Sequence, residues 1–174
     1  VNVSVPMIVH SAVISSTIIA SDAASLNTDN IATNLDVFDH NNQVRMLMGS
    51  ILPGAAYQKA IKLREMLRNQ IIDTFEQVDV LLMPTSSIPS PLIPNKAGLS
   101  NKQEVVDAFS GRRNFTAPFN LASNPAISIN CGFTNAGLPI GLQIAGQPFD
   151  EVTVLKVAHA YEQSTEWHKR RPPI

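Results

Sequence analysis

The run VDVLLMPT, residues 78–85, limits the fold more than any other stretch. It is short, continuously apolar and stopped by Pro84. Such a run predicts a strand buried on both faces, as in a sheet covered by helices. PTSSIPSPLIP (84–94) follows, with four prolines in eleven residues. Each proline confines the residue before it to extended geometry, so a stiff loop leaves the strand.

The remaining elements are expected around that strand. Val1, Val3 and Val5 alternate, which predicts a strand over residues 1–9 stopped by Pro6. Residues 11–34 read as a helix and DHNNQ (39–43) as a turn with capping residues. Val44, Leu47, Met48, Ile51 and Leu52 form a helical stripe that Pro53-Gly54 ends. A second helix turns Tyr57, Ala60, Leu63, Leu67, Ile71 and Phe75 inward, with Lys59, Lys62, Arg64, Glu65 and Arg68 on a solvated face. SNKQEVVDAFS (100–110) is a short helix candidate, and AISIN (126–130) and IGLQIAG (140–146) are strands about a turn. DEVTVLKVAHAYEQS (150–164) is a helix that Asp150 caps, and WHKRRPPI is a basic, solvated tail. The order implies an α/β fold, a mixed β-sheet flanked by helices, with residues 1–174 belonging to a single domain.

Composition narrows the function. A hydrophobic share of 44% against 16% charged residues is a globular balance. A net charge of −1 gives no pull towards nucleic acid or an anionic membrane. No apolar run approaches the roughly 18 residues of a membrane span. A single cysteine excludes an internal disulfide and fits a reducing, cytoplasmic compartment. The chain starts without Met and has no Lys or Arg before Arg45, so no signal peptide is expected and the chain reads as starting mid-protein.

Chemistry motifs are sparse. Cys131 follows a strand with no basic neighbour in sequence and is expected as a buried small hydrophobe. His10, His40, His159 and His168 are scattered without metal-ligand spacing, so neither a metal nor a cofactor is expected. There is no G-x-S-x-G elbow, P-loop or G-x-G-x-x-G. Asp79 inside an apolar strand is expected to bond backbone amides at the strand edge. Arg45 reads either as a solvent-facing residue or as the holder of a substrate carboxylate, for which its planar fork suits bidentate pairing. Arg112 and Arg113 read as surface-loop residues.

Six stretches together resemble the C-terminal part of the amidase signature family. They are RMLMGS (45–50), YQKAIKLREML (57–67), VDVLLMPTSSIPSP (78–91), FTAPFNLASNPAISINCGF (115–133), GLPIGLQIAGQPFDE (137–151) and AHAYEQSTEWHKRRPPI (158–174). The first forty residues match less well. The resemblance implies amide-bond hydrolysis by a Ser–cis-Ser–Lys triad on a mixed sheet, with a glycine-rich turn as oxyanion hole. The family's Gly-Ser-Ser-Gly-Gly-Ser stretch and catalytic lysine lie upstream of the matched region and do not occur here. Ser15-Ser16 and Ser86-Ser87 lack the glycines and take no catalytic role, so no catalytic residue is expected in this chain.

Substrate-binding roles are expected for Arg45 and Arg113. In the family's glutamyl-tRNA(Gln) amidotransferase branch, an Arg matching Arg45 contacts the substrate carboxylate. An Asp there contacts the amino group of glutamine, three residues before the Thr that matches Thr116. Arg113 holds that position here, and a cation cannot hold an ammonium group, so the resemblance favours a general amidase. The expected partners are a small-molecule amide substrate, the N-terminal half of the same fold, and a second copy through the bare sheet edge. A non-catalytic binding module that keeps the fold's remnant is the competing reading.

Overall fold

Strand β1 (Val80–Pro84) forms where the apolar run predicts it. In the computed structural model, which describes residues 1–93, 98, 104 and 115–171, the element order continues on both sides of it. Upstream lie α1 (Ser11–Leu26), α2 (Thr28–Thr33), α3 (His40–Ile51) and α4 (Gly54–Thr74). Downstream lie α5 (Ala117–Ala122), β2 (Ala126–Phe133), β3 (Pro139–Gly146) and α6 (Glu151–Ser164). The helix expected over 100–110 falls almost wholly outside the described residues. Asp39 caps α3 by accepting from the backbone N–H groups of Asn41 and Asn42, and Asp150 caps α6 by accepting from that of Thr153.

The described strands form an antiparallel sheet in the order β1-β3-β2. One face is apolar along its length. Ile129 and Ile144 pack there under Val154 and Ala158 of α6, with Val80, Ile127 and Leu142 half-buried beside them. The other face begins at Leu81 and Ala145, which meet Leu67, Ile71 and Phe75, Phe119, Leu121 and Ala122 of α5, and Ile14 of α1. Leu67 and Ile71 are fully buried. Burial of each such side chain contributes about 2 kcal/mol of transfer free energy.

Arg64 and Arg68 are not solvated as the charge pattern suggested. Arg64 Nε donates to the Leu121 carbonyl at 2.7 Å, and Arg68 Nη1 donates to that of Ala122. Both carbonyls end α5, where Ser123 turns left-handed at φ 60°. A cation at a helix C-terminus satisfies orphan carbonyls and faces the negative end of the helix dipole.

Four other expectations are corrected. Residues 1–5 keep their alternation, with Val3 and Val5 packed on the core, but no described strand pairs with them, and Pro6–His10 winds into a 3-10 turn. The large residues of the α3 stripe, Leu47, Met48 and Ile51, are exposed, and Met46 is the buried one. α3 instead crosses α1 closely at Gly49, where a Cβ would lie 1.9 Å from the Ala20 carbonyl oxygen. Leu82 of β1 is 57% exposed, so the strand is not buried on both faces within this chain. Asp79 is exposed and precedes the strand.

Pro6–Leu26 is long and apolar enough to cross a membrane by length and composition, contrary to the sequence expectation, at a mean hydropathy of 1.4. A share of 33% of that apolar window is buried here, on the face that carries Ile14, Ala20 and Ala24, while Val13, Ile19 and Leu26 are exposed. The described tail residues, 167–171, are exposed as the sequence suggests, and two of them also touch the sheet. Trp167 packs on Phe133 of β2 at a ring distance of 6.1 Å, and the Arg170 guanidinium sits 4.1 Å over the Phe133 ring. Lys169 pairs with Glu166 at 2.8 Å and holds its carboxyl below the usual range.

Candidate functional site

The second face of the sheet changes character along its strands. Beyond Leu81 and Ala145, which the helices cover, it carries Gln143, then Thr85, Gly141, Ser128 and Asn130. Gln143 is buried, and its side-chain amide donates to the Phe115 carbonyl at 2.8 Å, which ties the start of FTAPFN to the sheet. Past that anchor a cleft of about 940 Å³ opens between this end of the sheet, the proline-rich loop, α1 and α3.

Hydroxyls line much of the cleft. Ser15 and Ser16 come from α1, Ser86, Ser87 and Ser90 from the loop, and Thr85 and Ser128 from the sheet. Ser16 donates back to the Val13 carbonyl at 3.1 Å, as serines within helices do. Ser86 forms a local turn, donating to the Ile88 carbonyl at 2.8 Å. Thr85 and Ser128 meet each other at 2.6 Å, although β3 runs between their strands. Gly141 makes that possible, because a Cβ there would stand 2.6 Å from the Thr85 hydroxyl and 2.8 Å from that of Ser128.

Arg45 reaches the cleft from α3. Among the described residues lining the cleft it is the one titratable side chain. Arg113 lies outside the described residues. Ser15, Ser16, Ser86 and Ser87 all line the cleft, yet no lysine, histidine or carboxylate among the described lining residues stands ready to take a proton from them. Tyr57, whose phenol Asp22 holds above its ordinary value by accepting its hydrogen bond, is not among the lining residues.

Cys131 is half-buried, not buried, and the reason is local. Asn130 pairs with Gly141 and Gly132 with Ile140, so Cys131 is the extra residue of a β-bulge. Its thiol lies 3.4 Å from the Ile140 carbonyl. No three His, Cys, Asp or Glu side chains gather as a metal site would require among the described residues.

The Amidase family model matches residues 2–155. The chain belongs to the amidase family. It is 44% identical over 118 residues to the A-subunit of glutamyl-tRNA(Gln) amidotransferase from Thermodesulfovibrio yellowstonii, a match covering 68% of this chain and 23% of that protein. Against the protein of the same name from Synechococcus sp. (strain JA-3-3Ab) the identity is 48% over 120 residues, or 69% of this chain and 22% of the relative. The crystal structure of the same amidotransferase component from Thermotoga maritima superposes with a TM-score of 0.67 at 30% identity, covering 94% of this chain and 34% of that one. The structure of 6-aminohexanoate cyclic dimer hydrolase gives 0.77 at 24% identity, over 99% of this chain and 39% of that one, which establishes shared fold. The amidase chain thus spans between about a fifth and two fifths of the length of these four proteins.

Sequence reasoning missed Thr85, Ser128 and Gly141. The single signal available was position, with Thr85 following Pro84 at the end of a strand. The pairing of Thr85 with Ser128 depends on a register that one strand's sequence does not carry.

Proposed function

We propose that this chain is the scaffold and one pocket wall of an amide hydrolase that works by the Ser–cis-Ser–Lys mechanism, and that the triad is carried outside these 174 residues. One observation carries the reading. The cleft has abundant hydroxyls and, among its described lining residues, no base to activate any of them. A serine nucleophile needs such a partner within hydrogen-bond reach. In the completed fold, Arg45 would hold an anionic group of the substrate at the cleft wall, and Arg113 would stand at the position that meets the substrate's other end. The outer edges of β1 and β2, unpaired among the described strands, would receive the rest of the sheet or a second copy.

The test is amide hydrolysis by the isolated 174-residue chain beside the complete polypeptide that carries the triad. Simple aliphatic and aryl amides should be cleaved by the complete polypeptide and untouched by the chain alone. Cleavage by the chain alone would end this reading.

A second reading, the A-subunit of an amidotransferase, is favoured by the 44% identity to a protein of that name. Glutaminase activity of the complete polypeptide that depends on partner proteins would select it. Arg113 in place of an acidic residue argues for weak glutamine recognition.

A further inference from the structure

The end of the β2–β3 hairpin is held by few bonds of its own. The bulge at Cys131 breaks the ladder between Asn130 and Gly132, and two residue pairs follow it, Gly132 with Ile140 and Phe133 with Pro139. Local bonds close the turn beyond them. The Thr134 N–H donates to the Leu138 carbonyl at 2.9 Å, that of Gly137 to the Thr134 carbonyl at 2.9 Å, and that of Leu138 to the Thr134 hydroxyl at 3.1 Å. This end nevertheless carries part of the cleft wall, because Pro139, Ile140 and Gly141 line the cleft.

Residues directly opposite on antiparallel strands project to one face, so Phe133 shares the face of its partner Pro139. Alternation along β3 puts Gly141 and Gln143 on that face as well, which is the cleft side of the sheet. α6 covers the opposite face. The tail that leaves α6 therefore turns round the end of the sheet to meet Phe133. Trp167 holds its ring at 57° to that of Phe133 with the centroids 6.1 Å apart, a favourable tilted contact. The Arg170 guanidinium lies over the same ring at 4.1 Å. Its Nη2 also stands 3.9 Å from where a Cβ on Gly137 would be, so this side chain reaches from the strand to the turn. Pro139 faces the cleft and Phe133 beside it faces the tail. A hinge motion at the bulge would carry both together.

We propose that Trp167 and Arg170 are positioning residues, which brace the β2–β3 end through Phe133 and so fix the Pro139–Gly141 wall of the cleft. The inference rests on the amide-hydrolase reading for what that wall binds, and the bracing itself is tested apart from it.

Backbone amide hydrogen exchange and amide signals in the 174-residue chain test the bracing without catalysis. Trp167→Ala and Arg170→Ala should each speed exchange of Thr134, Gly137 and Leu138 at least fivefold and move the signals of Ile140 and Gly141. Exchange at Leu67 and Ile71 of α4, and the signals of Ser15 and Ser16 across the cleft, should stay as in wild type. Trp167→Phe, which keeps an aromatic ring, should exchange within twofold of wild type. If Trp167→Ala does not fold, Arg170→Ala and Trp167→Phe decide the matter. In the complete polypeptide the alanine variants should raise KM for a simple aryl amide at least threefold with kcat kept within twofold. A tail that served stability alone would lower the folded fraction, and with it the apparent kcat, at unchanged KM. Unchanged exchange at Thr134 and Leu138, exchange rising equally at Leu67, unmoved signals of Ile140 and Gly141, or unchanged KM overturns the proposal. If the complete polypeptide cleaves no amide, the hydrolase reading falls, and the exchange and signals of the chain still decide the bracing.

Discussion

The two faces of one small sheet are built for different ends. Under α6 the face is apolar from Val80 to Ile129, and Val154 and Ala158 close over it. On the opposite face the same three strands begin apolar, at Leu81 and Ala145, and finish with Gln143, Thr85, Gly141, Ser128 and Asn130 around an open cleft. Folding accounts for the first face, since removing apolar surface from water is its main driving force. It does not account for the second. Polar side chains there gain little stability, and Gly141 weakens a strand by its backbone entropy and missing side chain. A polar, glycine-bearing end on an otherwise apolar sheet fits a ligand surface, in keeping with strain and irregularity gathering at functional places.

Substitutions on the two faces sharpen or break this contrast. Ile144 is fully buried under α6. Ile144→Ala should lower unfolding free energy by about 3 kcal/mol in urea titrations, through lost transfer energy and a cavity. A cost below about 1 kcal/mol would mean that α6 does not clamp the sheet as described. Gly141→Ala is expected to be intermediate, about 2 kcal/mol, because the new methyl meets two hydroxyls that can turn away but also stands 3.0 Å from the Thr85 Cβ, which cannot. Its diagnostic effect is the separation of Thr85 from Ser128, visible as a change in hydroxyl-proton exchange. Ser128→Ala should cost least, under about 1 kcal/mol, since a net neutral hydrogen bond open to solvent is worth little. A loss comparable to that of Ile144→Ala would show that Ser128 serves stability, and the contrast between the faces would fall.

The sequence made the framework legible wherever local pattern and tertiary packing agree. β1, the β2–β3 pair, α4 and α6 stand close to where periodicity and capping residues put them. It misled where the partner decides. The stripe Leu47, Met48 and Ile51 has the helical period, but α1 meets α3 through Gly49 and Ala20 instead, because small residues allow the closer crossing. Val1, Val3 and Val5 alternate as a strand does, but a strand needs a neighbour, and none of the described strands supplies one. Arg64 and Arg68 look like surface charges until α5 places its terminal carbonyls beside them. The site was less legible than the fold. Arg45 was readable as a candidate, whereas the meeting of Thr85 and Ser128 depends on a residue between them that contributes only the absence of a side chain.

The most direct measurement of the central claim is covalent labelling by a fluorophosphonate, which reacts with activated serines and ignores ordinary ones. Intact-mass analysis should find the 174-residue chain unlabelled. In the complete polypeptide one equivalent should attach, on a serine outside these residues. A label on Ser15, Ser16, Ser86 or Ser87 of the isolated chain would contradict the account, because it would show an activated nucleophile within the wall itself.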